Sequence, residues 1–394
     1  PVTLTGSGDA TAPVSGYVAA TTASGKSATP LVETPRSVAV ITRDLIEDTG
    51  AQTLGQALAT TAGVVGEPYG ADPRFDSPVL RGFDTRNAQY LDSLRIMRSA
   101  GAPAFELYGL ERVEVLKGPA STLYGSGSPA GIINMIQKRA QTEHAAETGV
   151  TLSDDGDAKL TFDVNRAVSE TLAFRLTGVA GKTEEQISEV SNDRGYLGFA
   201  TRWQATEATE VQIITSYQAD SPITPAGLPF DLTGQGNDKA LREFYIGDSA
   251  ADSSDRRMLN LGYEVTHDFD NGWALSQSAR YQKFDWDYAG FYVAGGSAGN
   301  IVNRGVTYQD EDTSTVNVDT RMTGSFDTGS ASHKLMFGLD LRRYEDLTST
   351  DFATASALDI TDPATIPATI TQTALRVRMN TSTATRLARA LISN

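Results

Sequence analysis

The chain has 394 residues, with 49 acidic side chains against 33 basic ones, a formal charge of −16, no cysteine and three histidines. The missing cysteine excludes a disulfide scaffold, a thiolate metal site and a thiol nucleophile, and the acidic balance speaks against nonspecific nucleic-acid binding. No apolar run is long enough for a transmembrane helix, although barrel strands escape such a scan. His144, His267 and His333 are too scattered to suggest a histidine-rich metal site or a triad, so neither a protein-bound metal nor an enzyme is expected. No cleavable signal peptide opens the sequence at Pro1, which reads as a mature form or a fragment.

Residues 1–32 are rich in Gly, Ser, Thr, Ala and Pro and read as a flexible segment. Residues 33–140 read as a compact α+β domain. Val38–Ile41 is a strand candidate, and Thr42 an N-cap for a helix over Arg43–Thr49 that stops at Gly50. Thr53 to Gln56 fits a capping box that opens a second helix, ending near Gly63. Val79–Arg81, Gln89–Leu91 and Arg112–Leu116 read as strands. Gly125, Gly127 and Gly131 are spaced one residue too widely for a dinucleotide loop, and Pro129 sits where the helix would begin. A tight turn between strands fits them better. Asp92, Glu106, Glu111 and Glu114 offer carboxylates with nothing to fix their separation and no nearby histidine base. Asp154 to Asp157 lacks the remaining ligands of a calcium loop and reads as a solvated hairpin turn.

From residue 141 the texture changes. Val211, Ile213, Thr215 and Tyr217 oppose Glu210, Gln212, Ser216 and Gln218; Leu259, Leu261, Tyr263 and Val265 oppose Asn260, Glu264, Thr266 and Asp268. Leu335, Phe337, Leu339 and Leu341 continue the pattern. Period-two alternation means strands with one apolar face, and these strands exceed the roughly five to six residues usual in globular sheets. Short turns (Val168–Glu170, Ala205–Ala208, Asp268–Gly272, Asp327–Ser330) alternate with long connections (Lys182–Arg194, Asp220–Asp255, Trp286–Asn303). That asymmetry favours a transmembrane barrel over a soluble sandwich or propeller. About nine strands are expected between Glu147 and Tyr344, and a tenth within Ala368–Arg378. The division is thus 1–32, 33–140, 141–375 and an atypical tail, 376–394. The tail carries Arg376, Arg378, Arg386 and Arg389 without an acidic residue. Its Met379–Ala390 stretch reads as a weak helix, and the tail as a truncated or frameshifted end.

Several ordered motifs together are similar to the plug domain of TonB-dependent outer-membrane siderophore receptors. They are Thr34-Pro-Arg-Ser-Val-Ala-Val-Ile-Thr42, Arg81-Gly-Phe, Tyr90-Leu-Asp-Ser-Leu-Arg95, Leu110-Glu-Arg-Val-Glu-Val-Leu-Lys-Gly-Pro-Ala-Ser-Thr-Leu-Tyr-Gly125 and Ser128-Pro-Ala-Gly-Ile-Ile-Asn134. Ser93 and Ala130 depart from the family pattern, where glycine is usual. The resemblance implies an α+β plug followed by antiparallel transmembrane β-barrel strands, here about 9–10 of the roughly 22 of a whole barrel. It implies a ferric siderophore as cargo, with cobalamin, haem or a glycan, or an inactive truncated receptor fragment, as alternatives, outer-membrane lipid around the strands, and TonB as energising partner. Val2, Thr3, Leu4, Thr5 and Gly6 resemble a TonB box, an extended segment able to add to a partner's sheet edge. Arg81 and Tyr108 match plug-apex positions that contact ligand in some receptors, with Met97 and Arg98 on a neighbouring apex. Trp286, Tyr288, Phe291 and Tyr292 form a candidate ligand cluster in the expected loop on the barrel side. Arg81 offers a planar donor fork to an oxygen-rich chelate, and Tyr108 an aromatic face and a hydroxyl. Iron would arrive already chelated.

Overall fold

The computed structural model describes residues 10–26, 30–98, 103–229, 232 and 239–393. The segment Val2–Gly6 lies outside the described residues. Two sheets dominate. In the first unit, β1 (Ser37–Thr42), β7 (Leu110–Lys117), β8 (Gly131–Gln137), β5 (Gln89–Leu91) and β6 (Leu94–Arg95) lie side by side in that order. A small second sheet joins β2 (Val64–Val65), β3 (Val79–Leu80) and β4 (Phe83–Asp84). The caps read from the sequence close as expected. Thr42 Oγ1 accepts from Leu45 N at 3.3 Å to open α1 (Arg43–Asp48), and Thr53 Oγ1 from Gln56 N at 3.1 Å to open α2 (Leu54–Ala57). The return arm of the box reaches one residue further out, with Gln52 N donating to Gln56 Oε1 at 2.9 Å.

The rest is one antiparallel sheet of ten strands among the described residues. These are β9 (Ala145–Leu152), β10 (Ala158–Ala167), β11 (Leu172–Glu184), β12 (Ser191–Thr206), β13 (Thr209–Pro222), β14 (Ser253–Asp268), β15 (Trp273–Ala298), β16 (Ile301–Thr328), β17 (Ala331–Asp359) and β18 (Ile370–Ser393). They pair in chain order, with β9 and β18 outermost. This curved wall is what the alternation specifies. On β14, β16 and β17 the even or odd phase that carries Arg256, Asn260, Glu311, Thr313, Asn317, Asp319, Asp340 and Asp346 is buried against the first unit. The other phase, with Leu261, Tyr263, Val316, Phe337, Leu339 and Leu347, is exposed. A polar inner face and an apolar outer face are what lipid demands of a spanning sheet.

Four expectations are corrected. The connection Trp286–Asn303 is not a loop. β15 runs through to Ala298, because every residue up to Val293 stays in register beside a residue of β16, and the hairpin turns at Gly299 with φ +61°. Lys182–Arg194 is likewise mostly strand. The Met379–Ala390 stretch is not helical: it belongs to β18, paired from Ser393↔Lys334 to Ile370↔Ala355. β17 offers a long unpaired ladder, and filling it satisfies backbone groups that a short helix would leave on the wall's edge. The Gly- and Ser-rich start of the chain is also ordered where it is described, from residue 10 to 26, and docks on the plug.

The outer face yields a test. Leu261→Arg, at the middle of β14, is expected to destabilise the sheet in a bilayer by about 2–4 kcal/mol. Denaturant titration of the protein folded into lipid vesicles measures it; an unchanged midpoint would place that face away from lipid.

Candidate plug apex and ligand site

The plug meets the wall where the 72–76 loop and Ile96–Arg98 face β14, β15 and β16. Trp286 is the centre. Its ring lies 5.6 Å from Phe75 at an interplanar angle of 87° and 4.7 Å from Tyr288. Its indole N–H donates to Ser254 Oγ at 2.9 Å. The Arg98 guanidinium stacks over Phe284 (4.2 Å) and Trp286 (4.7 Å) and donates twice to Glu311, at 2.8 and 2.9 Å. Both partners of that pair are buried. Arg98 holds the plug to the wall through charge, geometry and ring stacking at once.

Beside it, Arg74 is fixed by two bonds to Asp72, at 2.9 Å each, and donates to the Tyr288 hydroxyl at 2.7 Å. Thr224 Oγ1 reaches the same hydroxyl at 3.2 Å and also donates to Asp252 Oδ1, while Tyr245 donates to Asp252 Oδ2 at 3.2 Å. The plug loop is thereby tied through Tyr288 to the long connection between β13 and β14. Arg256 completes the joint, donating to the Pro73 and Arg74 carbonyls and to Asp220. Arg304 does the same higher up, bonding carbonyls of Ile246, Ser356, Thr365 and Ile366 and so pinning two connections to β16.

Asp76 sits beneath the loop. Its carboxylate accepts from Leu54 N (3.3 Å) and Phe105 N (3.0 Å). Burial pushes its pKa up to about 6, against the pull of the Phe105 amide and the Arg194, Leu54 and Arg256 groups. It lines a cavity of ≈ 100 Å³ between the plug and β11–β12. Glu185, on the β11–β12 connection beside that cavity, is pushed up to about 7 by burial and by Glu67, Asp157 and Asp72. No cluster of three His, Asp or Glu suited to a metal ion occurs among the described residues.

The described residues proposed from sequence fall in five places. Arg98, Trp286 and Tyr288 come together in the apex cluster, with Met97 half-buried next to Arg98. Arg81 stands apart and exposed, at the β3–β4 turn with φ +49°, its N–H donating to Gly63 O at 2.7 Å. Tyr108 lies against β9 and β10. Its ring carries Lys138 Nζ at 3.9 Å, its hydroxyl donates to Glu147 at 3.3 Å, and burial followed by the Glu147 charge pushes the phenol up to about 12. Phe291 turns away from Trp286 into a second apolar cluster with Val190, Ile246 and Val306. Tyr292 is partly exposed, its ring over Gly305 on β16, where a Cβ would stand 2.4 Å from the ring. Arg74, Glu311, Thr224 and Asp252 were not foreseen. For Glu311 a signal existed: Glu311, Thr313, Thr315, Asn317 and Asp319 form an unbroken polar phase on an otherwise ordinary strand.

A plug sheet seated on the polar face of a lipid-facing antiparallel wall defines a plugged outer-membrane receptor. Comparison with known proteins agrees. The TonB-dependent Receptor Plug Domain profile matches residues 30–132, and the TonB dependent receptor-like beta-barrel profile residues 192–386. The ferrioxamine B receptor of Salmonella typhimurium (strain SL1344) is 32% identical over 348 residues, covering 86% of this chain and 50% of that protein. The ferrioxamine receptor of Yersinia enterocolitica is 31% identical over 367 residues, covering 91% and 51%. The crystal structure of the siderophore receptor PiuA from Acinetobacter baumannii superposes with a TM-score of 0.72 at 26% identity, covering 90% of this chain and 54% of that one. The chain belongs to the TonB-dependent receptor family, a family of outer-membrane receptors and not of enzymes. It spans about half the length of the curated relatives it matches.

The Asp76 environment sets a pH dependence. The folded state holds the Asp76 proton more tightly than the unfolded chain, so this group adds stability at low pH and loses it as pH rises through about 6. Between the ordinary aspartate range and pH 6 the change is roughly 3 kcal/mol. Asp76→Asn is expected to flatten that part of the stability profile, read by denaturant titration from pH 4 to 7. An unaltered slope would remove Asp76 from the account.

Proposed function

We propose that this chain supplies the plug and part of the barrel wall of a receptor that imports a ferric siderophore, drawn inward by TonB acting on the N-terminal segment. The observation that carries this is the apex joint. Phe75, Arg98, Trp286 and Tyr288 form an aromatic and cationic floor where the plug meets the tall β15–β16 hairpin. A cargo arriving from that rim meets plug and wall together, so binding can alter the contact between them. The names of the relatives favour ferrioxamine as the first cargo to test. The alternatives remain cobalamin, haem or a glycan.

Within this reading, Arg74 and Tyr288 are the cargo-facing polar groups, Met97 and Tyr292 flank them, Trp286 and Arg98 form the floor, and Phe291 packs in the neighbouring cluster with Val190, Ile246 and Val306. Arg81 is exposed and able to offer its guanidinium to an anionic chelate. Tyr108 has its hydroxyl and ring engaged by Glu147 and Lys138, and its part in ligand contact rests on the family resemblance alone. We assign the plug to residues 33–140 and the wall to the strands that follow, with Val2–Gly6 as the TonB box.

Two outcomes test the proposal. Tyr288→Ala and Arg81→Ala are each expected to weaken ferric ferrioxamine B binding by about tenfold, or about 1.4 kcal/mol. Isothermal titration of the folded receptor reads both, and unchanged affinity removes the residue from the site. Deleting Val2–Gly6 is expected to abolish iron-limited growth on ferrioxamine while leaving binding intact. Persisting growth would move the box elsewhere.

A further inference from the structure

Beyond the apex the wall and its long connections build an apolar core of their own. Val190, Ile246, Val302, Val306 and Leu358 are fully buried in it, with Tyr245 and Phe291 beside them, and no plug residue enters it among the described residues. Into this core β16 sends one charge. Arg304 is 1% exposed, and a buried cation needs acceptors for its N–H groups. Those it finds are uncharged oxygens from three segments. Nε donates to Ser356 O on β17 at 2.9 Å, and Nη2 to Thr365 O on the β17–β18 connection at 3.1 Å. Nη1 donates to Ile366 O on that same connection at 2.9 Å and to Ile246 O on the β13–β14 connection at 3.1 Å. The guanidinium lies 5.7 Å from the centre of the Phe291 ring. A planar fork with five N–H donors serves three segments at once, which a lysine ammonium does not.

What Arg304 clamps leads back to the apex. Ile246 N donates to Ala226 O at 3.0 Å, which ties the two arms of the β13–β14 connection together. Beside it the Tyr245 hydroxyl donates to Asp252 Oδ2 at 3.2 Å. Asp252 Oδ1 accepts from the Thr224 N–H and from its hydroxyl, each at 3.2 Å. Thr224 Oγ1 meets the Tyr288 hydroxyl at 3.2 Å, the same hydroxyl that Arg74 reaches from the plug at 2.7 Å. Gly290 makes the room, since a Cβ there would overlap both the Tyr288 and the Thr224 hydroxyl. Tyr288 is in register with Gln309. Arg304 stands five residues further along β16, or roughly 16 Å of strand. It bears on Tyr288 through the connection and not by contact.

We infer that Arg304 is a positioning residue for the cargo site. By clamping Ile246 it holds the Tyr245–Asp252–Thr224 relay in place, and the relay sets the Tyr288 hydroxyl toward Arg74 before any cargo arrives. This rests on the reading of Arg74 and Tyr288 as cargo-facing groups. A site ordered in advance loses less of its binding energy to ordering when cargo binds.

The test uses the full chain folded in detergent. The sequence has three tryptophans. Replacing exposed Trp203 and Trp273, which stacks on the exposed Phe337 ring, by Phe leaves Trp286 as the sole indole, 4.7 Å from the Tyr288 ring. Arg304→Lys, Thr224→Val and Tyr245→Phe are made singly, and Arg304→Lys is combined with Thr224→Val. Acrylamide quenching of Trp286 without cargo is expected to rise about threefold in each single variant, as local opening admits the quencher, and no further in the combination. Ferric ferrioxamine B affinity, read by isothermal titration, is expected to fall about tenfold in each and about tenfold again-free in the combination, the non-additivity of residues on one route. A merely structural Arg304 would give additive losses. Should Arg304→Lys not fold, Tyr245→Phe decides, since it deletes one hydroxyl and leaves the apolar core filled. Unchanged quenching in Arg304→Lys or Tyr245→Phe, additive losses in the combination, or unchanged affinity where Tyr288→Ala weakens it, overturns the assignment. Raised quenching with unchanged affinity in every variant, Tyr288→Ala included, would uphold the relay and fail the cargo reading alone.

Discussion

The structure depends on one constraint: a sheet in lipid must turn its apolar side chains outward and satisfy every backbone group within the sheet. Strict alternation then forces a polar inner face. On β16 this face is Glu311, Thr313, Thr315, Asn317 and Asp319; on β17 it includes Asp340, Arg342 and Asp346. The plug that fills the space cannot dock as one globular core docks on another. It must meet charge with charge.

The contact list follows from that. Lys26–Asp319, Arg98–Glu311, Lys138–Asp163 and Arg139–Glu264 place buried or nearly buried ions along the joint. Wall arginines also take backbone carbonyls of the plug. Arg280 donates to Leu91 and Leu94, and Arg342 to Tyr124. A joint of this kind is specific in register, and its apolar part is carried by Met258, Phe284, Trp286, Tyr288 and Met336, which join the plug's own apolar clusters. Leaving one partner alone is costly, while separating whole surfaces into water rehydrates both sides. Such a joint holds tightly when closed and can still be parted. At the apex the same joint gains Phe75, Phe284 and Trp286, and it is there that the proposed cargo would be felt by plug and wall alike.

Much of this was legible in the sequence because it is local. Thr42 and Thr53 cap the helices they precede, and the period-two phase of 209–218, 258–268 and 335–342 marks which side chains face lipid. The rest was not legible, because its cause lies far along the chain. The Gly-, Ser- and Thr-rich start looks flexible until Glu114, some ninety residues on, supplies the acceptor for Thr22 and Ser24. Arg74 looks like a loop residue until Tyr288 arrives from β15. Trp286 and Tyr288 were read as loop aromatics because no turn signal marks how far a paired hairpin rises beyond the membrane. Met379–Ala390 lacks apolar alternation, and its strand is imposed by the ladder that β17 presents.

The central claim is that buried ion pairs across the joint hold the plug in register on the wall. A double-mutant cycle on Arg98 and Glu311 tests it most directly, using Arg98→Met and Glu311→Gln and denaturant titration of the folded chain. The account predicts that each single variant loses about 3 kcal/mol, because it strands a buried charge. The double variant should lose little more than either, giving a coupling energy of about 2–3 kcal/mol. Additive losses, with coupling near zero, would contradict it.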